Sequence, residues 1–157
     1  MVRDLPASQE FYSAVLGALG SDPSLEADPD DPQPTYADVP RLVERARAEG
    51  LWVRAYVSMC FGDPWEGPVP VDQVADACAE LMDLGCDQLS VGDTIGTGTA
   101  GHVEALLEAL GQRGIGVDRI GVHFHDTYGQ ALTNTLTALR AGVTVVDAST
   151  GGLGGCP

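Results

Sequence analysis

The sequence predicts an α/β fold built on a parallel sheet, and three observations carry that expectation. From Ala37 on, helical and extended hydrophobic patterns alternate with a spacing of roughly thirty residues, the repeat of βα units. The chemically unusual residues fall just after the extended segments, where a parallel barrel gathers its chemistry. An apolar share of 44% with 20 glycines in 157 residues suits one α/β core.

Each element follows from a local signal. Asp38 is placed to cap a helix that has Pro40 in its first turn and ends at Gly50. Residues 52–58 read as a strand, and the loop after it contains Gly62, Pro64, Gly67 and Pro68. Val71, Val74, Ala75, Cys78, Leu81 and Met82 recur at helical spacing over 71–84, and Gly85 stops that helix. A strand at 88–92, a helix near 101–113, a strand at 119–124, a helix near 129–141 and a strand at 143–148 complete the pattern. Four βα units are visible, so the expected architecture is a partial (β/α)8 TIM barrel over residues 37–157.

Residues 1–36 have a different character. Phe11, Val15 and Leu19 line one face of a helix behind a Ser8 cap, and 21–36 reads as a disordered acidic linker rich in Asp and Pro. This leaves no room there for further barrel strands.

Composition narrows the partners. A formal charge of −15, from 23 acidic against 8 basic side chains, repels polyanions, so no nucleic-acid partner is expected. No apolar run approaches the roughly 18 residues a membrane span requires, and the first residues do not read as a signal or transit peptide. A soluble, cytoplasmic protein with no membrane partner is therefore expected. Cys60, Cys78, Cys86 and Cys156 form no CxxC pair and read as reduced thiols.

The segment most informative about chemistry is Val122-His123-Phe124-His125-Asp126-Thr127-Tyr128-Gly129-Gln130. On an extended strand, residues i and i+2 share a face, so His123 and His125 can reach one cation such as Mg2+, Mn2+ or Zn2+ if oxygen ligands come from elsewhere. The same residues also read as a strand-end pair, one imidazole buried and the other solvated. Asp93, before Thr94 and Gly96, reads on residues alone as an N-cap or turn aspartate. Cys156 follows Gly151-Gly152-Leu153-Gly154-Gly155, a backbone free to close over a ligand, or else a tail with an idle thiol.

Four blocks, in order, resemble the hydroxymethylglutaryl-CoA lyases of the DRE-TIM metallolyase group. They are Val53-Arg54-Ala55-Tyr56-Val57-Ser58 with Gly62-Asp63-Pro64-Trp65-Glu66-Gly67, then Ser90-Val91-Gly92-Asp93-Thr94-Ile95-Gly96, then the histidine block running into Ala131-Leu132, and finally Gly151 to Pro157. Related synthases share the His-X-His element but have Asn where Asp126 stands and lack the glycine-cysteine loop. The resemblance covers about residues 38–157. It implies a divalent cation, Mg2+ or Mn2+, held by His123 and His125, with His123, Asp93 and Cys156 in catalytic roles. It also implies Gly152, Gly154 and Gly155 as a loop closing on an acyl-CoA substrate.

The implied reaction is retro-Claisen cleavage of 3-hydroxy-3-methylglutaryl-CoA into acetoacetate and acetyl-CoA, with Asp93 taking the hydroxyl proton and Cys156 protonating the enolate. The family's Arg-Asp pair and its downstream asparagine ligand have no counterpart here, since Arg3-Asp4 runs into Leu-Pro-Ala-Ser instead of Gly-Leu-Gln. Residues 1–20 separately resemble the first helix of the vicinal-oxygen-chelate superfamily. A half barrel with open strand edges is also expected to self-associate as a homo-oligomer, or to act as a noncatalytic module that pairs with a partner. Trp65 and Glu66 either shape the mouth of the site or lie on a solvated loop, and His102 opens a helix at the surface. Asn134, Thr137, Cys78 and Cys86 are explained by packing and turns.

Overall fold

The computed structural model describes residues 38–152. In chain order the elements are α1 (Val39–Ala48), β1 (Arg54–Val57), β2 (Gly62–Asp63), β3 (Gly67–Pro68), α2 (Val71–Asp83), β4 (Gln88–Asp93), α3 (Ala100–Gln112), β5 (Ile120–Phe124), α4 (Ala131–Arg140) and β6 (Val145–Val146). The four longer-range strands form one parallel sheet in the order β1-β4-β5-β6, and β2 and β3 form a small antiparallel hairpin.

Side-chain alternation divides the sheet into two faces. Ala55, Val57, Leu89, Val91, Ile120 and Val122 are buried, and they join Val74, Cys78, Leu81, Val103, Leu106 and Leu110 of the helices in one core. Each fully buried Leu or Ile there contributes roughly 1.5–3 kcal/mol relative to exposure. The opposite face carries Arg54, Tyr56, Ser90, Gly121 and His123, because Tyr56 pairs with Ser90 and Ser90 with Gly121.

One device ends all four helices. Gly50, Gly85, Gly114 and Gly142 have φ between +73° and +106°, which only glycine adopts without strain. Each is followed by an apolar residue, Leu51, Cys86, Ile115 or Val143, whose N–H donates to the carbonyl five residues back, at 2.9 to 3.2 Å. This is the Schellman arrangement, and it turns the chain from helix into the next strand.

Several expected boundaries shift. The strand expected at 52–58 contracts to Arg54–Val57, with Trp52 57% exposed. The strand expected at 143–148 contracts to Val145–Val146, because β6 has β5 on one side and no strand on the other among the described residues. Asp38 does not cap α1 with its side chain. Its backbone is already helical (φ −88°, ψ −14°), whereas a capping side chain needs an extended residue, and its carboxylate lies 3.9 Å from Arg41.

The outer layer near β6 is open. α4 buries Ala131, Asn134 and Ala138, while Leu132, Leu136 and Leu139 face outward with Leu132 82% exposed. No helix among the described residues is long and apolar enough to cross a membrane.

Candidate functional site

The loops that follow β1, β4 and β5 meet at the carboxyl ends of the strands. His123 lies on β5 and His125 just beyond it, both partly buried, with their Nε2 atoms 3.0 Å apart and their rings nearly edge to face at 75°. Both Nδ1 atoms are buried and have no partner among the described residues. Neighbouring ligands about 2.1 Å from one octahedral cation stand about 3.0 Å apart. The convergence of the two Nε2 atoms therefore fits a shared divalent ion, and equally a direct imidazole–imidazole hydrogen bond in the metal-free chain. Among the described residues no group of three His, Cys, Asp or Glu could hold a metal. The described residues thus offer an ion two protein ligands, and an ion held there completes its shell with other oxygens.

Asp93 ends β4 beside this pair and is fully buried. Its carboxylate accepts the amides of Thr97 at 3.1 Å and Gly98 at 2.9 Å, and its carbonyl accepts the amide of His125 at 3.3 Å. Burial pushes the Asp93 carboxyl above its usual range, while the amides of Gly98, Thr97 and Gly96 and the charge of His125 act in the opposite direction. The residues-alone reading of a turn aspartate thus describes its contacts, and its place beside the histidines is what the family resemblance implies.

The loop around Asp93 is tightly built. A Cβ on Gly98 would lie 2.5 Å from the Phe61 ring and 2.9 Å from the Asp93 carboxylate. A Cβ on Gly96 would lie 2.8 Å from Thr127, so the loops after β4 and β5 touch directly. Asn134 Nδ2 donates to the Gly98 carbonyl at 2.9 Å. Asp126 accepts the Ala131 amide at 2.9 Å, fixing the start of α4 right after the histidines.

After β1, Met59 takes φ +55°, and the chain doubles back so that the Met59 amide meets Thr94 Oγ1 at 2.9 Å and the Cys60 amide meets the Gly92 carbonyl at 3.0 Å. Cys60 is buried, and burial pushes its thiol up, far from the reactive range. Asp63 Oδ1 accepts the amides of Trp65 and Glu66, and both side chains are exposed, so the solvated-loop reading describes them. His102 completes a reciprocal cap with Thr99 at the start of α3 and stacks on Phe61. Gly152 closes a short 3-10 turn over Thr150–Gly152, and Gly154, Gly155 and Cys156 lie outside the described residues.

Sequence reasoning gave four polar residues no part in the site. Asn134 is buried on the core side of α4, where its amide stands out among small residues. Arg54, Ser90 and Asp147 form a linked group below the histidines: Arg54 donates to both Asp147 oxygens at 3.0 and 2.6 Å, and Ser90 Oγ donates to the same carboxylate at 2.7 Å. The Arg54 and Asp147 partners are 93 positions apart, a separation that no local pattern reveals.

Comparison with known proteins gives a consistent family. The HMGL-like family model matches residues 31–156. A Bos taurus protein named hydroxymethylglutaryl-CoA lyase, mitochondrial, is 50% identical over 116 residues, 74% of this chain and 35% of the relative. A Danio rerio 3-hydroxy-3-methylglutaryl-CoA lyase, named cytoplasmic, is 52% identical over 118 residues, again 74% of this chain and 35% of the relative. The crystal structure of the lyase from Pseudomonas aeruginosa superposes with a TM-score of 0.71 at 47% identity, covering 76% of this chain and 39% of that one. A lyase from Acinetobacter baumannii, solved with coenzyme A and 3-methylmalate, gives 0.68 at 31% identity, covering 78% and 39%.

The chain thus spans about a third of the length of the curated relatives it matches, at 35%, and its four-stranded sheet is part of a TIM barrel. Two expectations are corrected or left without support. The cytoplasmic expectation is overturned, because the Bos taurus, Arabidopsis thaliana and Rattus norvegicus relatives are all named mitochondrial, against the one cytoplasmic Danio rerio protein. The chelate-superfamily resemblance of residues 1–20 gains nothing from a family match that begins at residue 31, and it falls outside the described residues. With 126 consecutive residues matched and lyase relatives near 50% identity, the chain belongs to the HMGL-like family.

Proposed function

We propose that residues 37–157 carry the histidine-bearing part of a lyase site that cleaves 3-hydroxy-3-methylglutaryl-CoA into acetoacetate and acetyl-CoA, and that residues 1–36 are a separate segment. The observation that carries this reading is the convergence of His123 and His125 Nε2 to 3.0 Å at the carboxyl end of β5. The lyase names of the relatives and the coenzyme A in the Acinetobacter baumannii structure support the acyl-CoA substrate. When bound by His123 and His125, Mg2+ or Mn2+ supplies Lewis-acid polarisation of the substrate's hydroxyl and carboxylate oxygens.

The chain's own residues then divide the proton work. Asp93, its basicity raised by burial, retains acceptor capacity beyond the two amides it binds and takes the tertiary hydroxyl proton. As that proton leaves, the carbon–oxygen bond becomes a carbonyl and the bond to the thioester's α-carbon breaks. The electron pair is left on the acetyl-CoA enolate. Cys156, on the Gly152, Gly154 and Gly155 loop, delivers the proton that completes acetyl-CoA.

The test is a chimaera in which residues 38–157 replace the matching 39% of the Pseudomonas aeruginosa lyase. This reading expects metal-dependent acetoacetate release, abolished by His123→Ala. A chimaera that folds and binds Mn2+ yet releases no acetoacetate would overturn it. The 157-residue chain by itself is expected to release acetoacetate negligibly, because its described residues offer an ion no more than two protein ligands.

A second reading has its own observation. Leu132, Leu136 and Leu139 form an outward apolar stripe on α4, and β1 and β6 each have one unpaired edge among the described residues. We infer from these that the isolated chain self-associates through this stripe and the open sheet edges.

A further inference from the structure

We propose that Arg54, Ser90 and Asp147 form a positioning network that holds the Asp147 carboxylate away from the histidine pair and fixes β6 against β5 at the histidine row. The purpose of the network rests on the metal-site reading above, but its geometry stands without it. Arg54 starts on β1 and crosses the sheet face over β4 and β5 to reach Asp147, just past β6. It passes directly over Gly121, where a Cβ would collide with the guanidinium. A glycine in the middle of β5, directly before Val122 and His123, is thereby explained as the gap through which the guanidinium crosses.

The partners are well enclosed, with 15% of the Arg54 side chain and 26% of Asp147 exposed. The Tyr56 ring lies 5.0 Å beneath the guanidinium. A forked guanidinium on a carboxylate fixes orientation as well as charge. Ser90 Oγ occupies one more lone pair, so both Asp147 oxygens are engaged.

Asp147 is close to His123 by register. Val122 pairs with Val146, and the Asp147 amide donates to the Val122 carbonyl at 2.8 Å. His123 and Asp147 are the next residues on these two neighbouring strands, on the face that Gly121 and Ser90 share. A free carboxylate there would hydrogen-bond an imidazole or draw a cation from the Nε2 side, since carboxylate and imidazole are natural partners. Instead the Asp147 carboxylate is held by Arg54 and Ser90, the two Nε2 atoms face each other, and both Nδ1 atoms have no partner among the described residues. Arg54 and Ser90 therefore remove a competing ligand from beside the pair while their bonds brace the strands that carry it.

The experiment reads the ring nitrogens of the three histidines by 1H–15N correlation in the metal-free chain, with His102, which caps α3 with Thr99 and makes no hydrogen bond to Arg54, Ser90 or Asp147, as internal reference. Arg54→Gln is expected to shift the His123 and His125 signals and leave those of His102. Adding Asp147→Asn to Arg54→Gln is expected to return them toward the parent, because the released carboxylate is then gone. Arg54→Lys, which lacks the fork, should not restore the parent signals. His123 and His125 signals unchanged in Arg54→Gln, or a shift that Asp147→Asn fails to reverse, would overturn the proposal and leave the group as a brace alone. If Arg54→Gln does not fold, Ser90→Ala, which removes one of the two donors to Asp147 Oδ2, carries the same comparison with a smaller expected shift. Mn2+ added to the parent tests the metal reading separately: failure to broaden the His123 and His125 signals counts against that reading and leaves the network result intact.

Discussion

Asn134 Nδ2 donates to the carbonyl of Gly98 at 2.9 Å, and that one bond joins the helix after the histidines to the loop that encloses Asp93. Asn134 is completely buried, so its replacement by alanine leaves the Gly98 carbonyl without its partner. An unsatisfied buried acceptor costs roughly 1–3 kcal/mol. Urea unfolding of Asn134→Ala is expected to show a loss of that size. A loss below about 0.5 kcal/mol would mean that water replaces the amide and that the tether is dispensable.

Alkaline pH should weaken the fold through Cys78. Burial pushes its thiol from 9.0 to about 12, so above pH 9 the unfolded chain releases this proton while the folded chain keeps it. The folded state then binds more protons than the unfolded one, and stability falls as pH rises from 9 toward 12 at up to about 1.4 kcal/mol per unit for one such thiol. Denaturation at pH 8 and pH 10 should show a steeper loss for the parent than for Cys78→Ala. Equal slopes would place the thiol in a hydrated site.

The exposed Leu132, Leu136 and Leu139 stripe should drive association at micromolar concentration. Sedimentation velocity of the parent is expected to show a mass that rises with concentration, and Leu132→Glu with Leu136→Lys should suppress the rise. A concentration-independent monomer in the parent would remove the second reading.

Much of this architecture is visible in the chain before any coordinates. The glycines at 50 and 85 mark helix ends because the αL turn leaves few alternatives, and the parity of His123 and His125 follows from strand geometry alone. What escapes is tertiary. Asp38 stands where a cap is expected, yet its own backbone is helical, a fact no composition rule contains. The outward leucines of α4 invert the usual pattern, because that helix packs inward through Ala131, Asn134 and Ala138. Arg54 and Asp147 meet across four strands, and only the topology brings them together. Asp93 is ambiguous for a different reason: a turn aspartate and a buried base present the same residue before the same glycine loop, and its carboxylate makes the turn contacts with the Thr97 and Gly98 amides.

The central claim is that His123 and His125 together form a divalent-metal site, and calorimetric titration of Mn2+ into the parent and into the His123→Ala and His125→Ala double variant tests it most directly. Two imidazoles without further protein ligands should bind weakly, with water filling the remaining positions, and the double variant should lose that binding altogether. Mn2+ affinity unchanged in the double variant would place the ion elsewhere on this acidic chain and contradict the site.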